Sequence, residues 1–183
     1  MNYHCYNCSN KCCIYKITPY NKKLFNNYEK QVDVKIKKAG ICIYDESSKK
    51  ILLVQSRGQM WGCPKGSIKD MENPLDCAIR EVKEETGFDV DEKSLDDFTI
   101  INSKVQYYFL EMKEDNTISV QNHVVDNDAN GIGWFNIDCL HDLVKEGLIN
   151  INQHCRLLIK KKFNKDIPYN KEKVYQRSLI NYY

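Results

Sequence analysis

The stretch from Gly66 to Phe88 constrains this chain more than any other. Asn73 followed by Pro74 marks a helix start: a side-chain oxygen to cap free amides, then proline at the first helical position, where its missing N–H costs nothing. Asp76 adds negative charge to the first turn, where the helix dipole favours it. Leu75, Ala78, Ile79, Val82 and Thr86 recur at spacings of three and four, so the sequence predicts one buried face. Gly87 stands where a left-handed C-terminal cap is expected.

Glu81 and Glu85 lie one turn apart on that helix, with Glu84 beside them. Like charges at this spacing repel, so an ordinary surface helix gains nothing from three crowded carboxylates. A hard divalent cation resolves the conflict, because Mg²⁺ takes carboxylate oxygens and commonly shares its shell with substrate phosphates. On charge alone the alternative is an acidic solvated face balanced by Arg80 and Lys83.

The residue order resembles the Nudix box, G-x5-E-x7-R-E-U-x-E-E-x-G-U, where U is aliphatic or aromatic. Gly66, Glu72, Arg80, Glu81, Val82, Glu84, Glu85, Gly87 and Phe88 fill its nine fixed places without a gap. The resemblance implies an α+β Nudix fold, an α/β/α sandwich around a mixed β-sheet. It also implies an enzyme that cleaves a nucleoside diphosphate linked to another group, using Mg²⁺ or Mn²⁺ and water. By that resemblance Glu81, Glu84, Glu85 and the Gly66 carbonyl hold the metals, with Glu84 and Glu85 catalytic. Arg80 pairs with Glu72 to fix the loop onto the helix. Such metals neutralise a pyrophosphate and activate a water, and catalysis of this kind is mostly positioning and charge stabilisation.

At 183 residues the chain suits one domain of ordinary size. With 42% hydrophobic and 28% charged residues it has a globular composition. A net charge of only +2 means that nucleic-acid binding must come from local patches. No apolar run is long enough to span a bilayer, and Met1 to Cys5 lacks the apolar core of a signal peptide, which together lead us to expect a cytoplasmic protein with no membrane partner. Nine cysteines then point to thiols or a metal in a reducing compartment, not to a disulfide framework.

Residues 1–30 form a Cys-rich segment in which Cys5, Cys8, Cys12 and Cys13 crowd beside His4. Cys5-x-x-Cys8 is the usual half of a zinc site, and the segment resembles a degenerate zinc knuckle, without the knuckle's glycine-histidine step. Bound Zn²⁺ and unliganded thiols both remain open. Residues 31–165 are the expected Nudix domain and residues 166–183 a tail. Within the domain, strands are expected over Val32 to Tyr44 and Ile51 to Val54. Phe98 to Met112 reads as a long strand or a bent pair, and Thr117 to Val125 as a further strand. Leu140 to Glu146 reads as a short helix. A longer helix is expected over Ile151 to Phe163, with Ile151, Cys155, Leu158, Ile159 and Phe163 as its apolar stripe.

The W-G-C-P-K-G step from Trp61 to Gly66, taken with Cys77 to Asp89, resembles the mRNA-decapping Nudix enzymes, including those of large cytoplasmic DNA viruses. Lys65 of that step is then placed to touch a phosphate. The resemblance continues at Gly133-Trp134-Phe135, a strand that decapping enzymes place after a catalytic glutamate. Asp128 stands at the glutamate's position here, one methylene shorter, as general base or extra ligand; Asp126 and Glu111 are the alternatives. Decapping enzymes also carry a basic C-terminal helix, which Arg156, Lys160, Lys161 and Lys162 would supply for RNA phosphates; a solvated helix face is the other reading. Trp61, Tyr107, Tyr108 and Trp134 are candidates to stack on a methylated guanine, or are simply core aromatics.

The expected activity is therefore removal of the 5′ cap from RNA, releasing m7GDP and a 5′-monophosphate RNA. The alternatives are a small-molecule Nudix hydrolase acting on diadenosine polyphosphates, diphosphoinositol polyphosphates or nucleoside diphosphate derivatives, and an RNA-binding scaffold without turnover. The intact set Glu81, Glu84 and Glu85 argues against the scaffold. The expected partner is capped RNA, and the sequence leaves open whether the protein forms a homo-oligomer.

Overall fold

A computed structural model describes residues 2–4, 14–16, 35–56, 60–115, 117–121 and 129–169. The chain divides into two units, residues 1–34 and 35–183. In the first, β1 (Asn2–His4) pairs antiparallel with β2 (Ile14–Lys16), Tyr3 opposite Tyr15. The candidate zinc ligands Cys5, Cys8, Cys12 and Cys13 lie outside the described residues.

The second unit is built on a mixed sheet. Its path runs β10 (Asn150–Ile151), β5 (Met60–Gly62), β4 (Lys50–Ser56), β3 (Lys38–Asp45), β8 (Val105–Glu111) and β7 (Asp96–Ile101), with β6 (Lys65–Ser67) paired to β3 and β9 (Gly131–Asn136) to β4. The β3–β8 pair is parallel, with Lys38 opposite Val105 and Tyr44 opposite Glu111. Side chains on β3 alternate between two cores, as the period of a strand requires. Ala39, Ile41 and Ile43 face α1 (Pro74–Thr86) and its Cys77, Ala78 and Val82. Cys42 and Tyr44 face the other way, with Tyr107 and Phe109 of β8, toward α2 (Leu140–Lys145) and α3 (Gln153–Phe163). Coverage on both sides explains why β3 and β4 read as unbroken apolar runs. The helix–sheet–helix sandwich is the one expected.

Helix α1 is built as its sequence foretold. The Asn73 side chain accepts from the amides of Leu75 and Asp76, both at 2.9 Å, and Gly87 closes the helix at φ 74°. Three other expectations need correction, and one open alternative is settled. Strand β3 starts at Lys38, six residues later than the apolar pattern suggested. Of the two readings of Phe98 to Met112, the bent pair holds, because Asn102 and Ser103 turn the chain at φ 52° and 53°. Of the strand expected over Thr117 to Val125, residues 117–121 form no strand and residues 122–125 lie outside the described residues. Ile151 belongs to β10 opposite Trp61, and the final helix starts only after Asn152, whose Oδ1 accepts from the Cys155 amide at 2.9 Å.

Candidate active site

Strand β6 and helix α1 build the site. β6 runs antiparallel to β3, with Gly66 opposite Ala39 and Lys65 opposite Gly40. Gly66 therefore faces α1, as Ala39 does. A methyl group at Gly66 would sit 1.9–2.1 Å from the carboxyl atoms of Glu81. The Glu81 carboxylate thus rests directly on the Gly66 backbone, in space that any side chain would fill.

Arg80 organises the surrounding carboxylates. Its Nε donates to Glu72 Oε1 at 2.7 Å and its Nη2 to Glu72 Oε2 at 3.0 Å, the two-pronged pairing expected between loop and helix. The same guanidinium reaches further than the sequence suggested. Nη1 donates to Glu81 Oε1 at 2.7 Å and Glu84 Oε2 at 2.8 Å, and Nη2 to the Ser67 carbonyl at 3.1 Å. The Lys69 amide closes the loop by donating to Glu72 Oε2 at 2.9 Å, and Lys69 Nζ lies 3.6 Å from Glu84 Oε1. The hydrogen bond from Arg80 pulls the Glu72 carboxyl down to about 2. Burial pushes the Glu81 carboxyl up, against the opposing pull of Arg80. Three carboxylates around one guanidinium leave an excess of two negative charges.

Glu85, one turn beyond Glu81, is 5% exposed. Its Oε2 accepts from the Lys65 amide at 3.2 Å, which ties the end of α1 to the first residue of β6. The Cys77 thiol lies 3.7 Å from the Gly66 carbonyl. Among the described residues no three His, Cys, Asp or Glu side chains converge in a metal-binding cluster; Arg80 Nη1 bridges Glu81 and Glu84. The donor set still suits a hard cation: oxygen ligands on one helix, one of them seated against a backbone that lacks a side chain.

Asp128 and Asp126 lie outside the described residues. Glu111 pairs with Tyr44, five positions along β3 from the residue opposite Gly66. At the rise of a strand that is about 16 Å, too far for Glu111 to serve this site.

The basic residues of α3 do not share one face. Lys162 turns back toward the sheet, its Nζ 4.9 Å from the Tyr44 ring centroid and 4.6 Å from that of Phe109. Lys160 Nζ pairs with Asp166 Oδ2 at 2.6 Å, and the Arg156 guanidinium stacks over Tyr169 at 4.8 Å. Lys161 is exposed. Of the candidate stacking residues, Tyr107 is fully buried and its hydroxyl has no hydrogen-bond partner, which removes it from that role. Tyr108 packs on Phe98, Trp61 sits edge-on to Phe135, and Trp134 Nε1 donates to the Asp115 carbonyl at 3.0 Å; all three remain half-buried.

The NUDIX domain family model matches residues 35–154. The chain is 30% identical over 137 residues to "Putative hydrolase 111R" of Invertebrate iridescent virus 3, covering 74% of this chain and 79% of that protein. It is 42% identical over 83 residues to the "m7GpppN-mRNA hydrolase" of Saccharomyces cerevisiae, covering 45% of this chain but only 8% of the yeast protein. Among solved structures, the E. coli dihydroneopterin triphosphate pyrophosphohydrolase superposes with a TM-score of 0.51 at 18% identity, over 71% of this chain and 99% of that one. A bifunctional NMN adenylyltransferase/ADP ribose pyrophosphatase from Francisella tularensis gives 0.54 at 14% identity, over 78% of this chain and 45% of that one. These two likenesses concern the fold.

Proposed function

The chain belongs to the Nudix family, and we propose that within it this protein is a metal-dependent pyrophosphohydrolase that removes the 5′ cap from RNA. The observation that carries the hydrolase reading is the Glu81 carboxylate laid against the bare Gly66 backbone, on a helix that also carries Glu84 and Glu85. The partial likeness to an mRNA hydrolase supports RNA as the substrate.

Glu81, Glu84, Glu85 and the Gly66 carbonyl would hold Mg²⁺ or Mn²⁺. When bound, these ions supply charge neutralisation on the pyrophosphate and an activated water. Glu72 and Arg80 hold the loop of residues 67–72 against α1, so that Gly66 and Glu81 keep their mutual position. Glu85 fixes the Lys65 backbone, and the Lys65 side chain touches a substrate phosphate. Asp128 acts as general base or extra ligand. Arg156, Lys160 and Lys161 are offered to the RNA body from the outer side of α3, and Lys162 from its inner edge. Residues 31–165 form the catalytic domain.

The test is cap-labelled RNA incubated with the protein and Mg²⁺ or Mn²⁺, beside diadenosine and diphosphoinositol substrates. Release of m7GDP that weakens with salt is the expected result. Turnover of the small molecules alone would remove RNA from the reading and leave the pyrophosphohydrolase.

A further inference from the structure

The sequence drew attention to the cations of α3, but the structure gathers a different set. On β3, Lys38 and Gly40 point away from α1, on the side that carries Cys42 and Tyr44. Lys65 stands over Gly40 on that same side; a methyl at Gly40 would lie 2.5 Å from the Lys65 Cβ. Lys104 joins them, because its carbonyl accepts from the amides of Lys37 and Lys38 at 2.9 and 3.2 Å, and it precedes Val105, the residue opposite Lys38.

The start of α3 closes this cluster. The Asn152 amide donates to the Trp61 carbonyl at 2.9 Å, the Asn152 side chain fills the space above Gly62, and the thiols of Cys63 and Cys155 are 3.8 Å apart. The first turn of α3, which holds His154 and no acidic residue, is therefore pinned two residues ahead of Lys65. Burial, and then the charges of Lys65, Lys38 and Lys104, hold the His154 imidazole below its ordinary range.

Among the described residues, Lys38, Lys65 and Lys104 form no ion pair, whereas Lys69, Lys160 and Lys165 are matched to Glu84, Asp166 and Asp138. Three lysines brought together without a counter-charge await an anion with several charges in a row. The cluster begins one residue from Gly66, on the opposite face of β6, so an RNA strand whose pyrophosphate lies at the carboxylates reaches it by crossing β6.

We propose that Lys38, Lys65, Lys104 and His154 hold the phosphodiesters of a single RNA strand next to the scissile pyrophosphate. The inference deepens the reading of RNA as substrate and rests on it. It differs in placing the first contacts at the edge of β3 and the start of α3.

The experiment measures equilibrium binding of a labelled, uncapped, unstructured RNA to wild-type protein and to K38Q/K104Q across a salt series. Both lysines are exposed and neither belongs to the carboxylate site. Each phosphate contact on a single strand contributes about 0.7 to the slope of log affinity against log salt, so the double variant should lose about 1.4 from that slope and about tenfold in affinity. K38R/K104R, which keeps the charge, should bind as wild type does. Wild-type affinity and slope in K38Q/K104Q would overturn the site, as would wild-type protein that binds RNA without salt dependence. Cap release is followed separately. RNA binding that depends on these lysines without cap release would remove the decapping reading and leave the site. Cap release with unchanged binding in K38Q/K104Q would do the reverse.

Discussion

Replacing Gly66 by alanine tests the geometry of the site at a single atom. Gly66 does not occupy the left-handed region, so alanine introduces no backbone strain there, and the loss of a glycine tends to stabilise by about 0.5 kcal/mol through the unfolded chain. The new methyl would meet Glu81 Cδ, Oε1 and Oε2 at 1.9, 2.0 and 2.1 Å. Ordinary contact is about 3.5 Å, so the carboxylate must retreat by roughly 1.5 Å. Its end is flexible, which keeps the cost to the fold within about 1 kcal/mol. Displacement of a positioned group by about 1 Å costs on the order of 10²-fold in rate. G66A should therefore melt within a few degrees of wild type while its kcat falls on the order of 10²-fold, measured on capped RNA and on a dinucleoside polyphosphate at saturating Mg²⁺. A kcat within a few-fold of wild type would refute the claim that this contact seats Glu81. A protein that no longer folds would refute the claim that the strain falls on a side chain.

Three further outcomes follow from the same contacts. E84Q or E85Q should lose about 10²-fold or more in turnover with the melting temperature and RNA affinity nearly kept; hydrolysis preserved in either would sink the metal assignment, and chelation of divalent ions should abolish wild-type turnover. Glu72 titrates at about 2 in place of 4.5, so its contribution to stability is whole above about pH 4.5 and is lost as pH falls through about 2; a melting series from pH 6 to pH 2 should show a slope that E72Q flattens. Y107F should raise stability by about 1 kcal/mol, since a buried hydroxyl without a partner costs 1–3 kcal/mol, and a melting temperature below wild type would mean that the hydroxyl has a partner.

What was legible in the sequence was local. Asn73, Pro74 and Gly87 announce both ends of α1 because caps act within a turn of their own residue, and the pairing of Glu72 with Arg80 follows from the box that both belong to. The placement of Gly66 against Glu81, and of Lys65 over Gly40, depends on the register of β6 on β3, which no nearby residue specifies. Two misses had a signal. Arg80 and Glu84 stand four apart on a helix, a spacing that brings such side chains together. Asn152 is an ordinary capping residue, and reading it so would have taken Ile151 out of the helix.

The short strand β6 explains how a chain with net charge +2 holds two opposed charge clusters so close together. A helix would spread Lys65 and Gly66 by only about 100°, and a loop would leave their directions unfixed. A strand sends neighbours to opposite faces. Gly66 therefore meets the α1 carboxylates while Lys65, the adjacent residue, projects to the side of Lys38 and His154. The backbone between them joins the two through one hydrogen bond, from the Lys65 amide to Glu85. Had Lys65 faced α1, its ammonium would have offset part of the carboxylate charge and left the lysine cluster one charge weaker. Pleating keeps the Lys65 ammonium on the face away from the α1 carboxylates, with one strand as the partition between the two clusters.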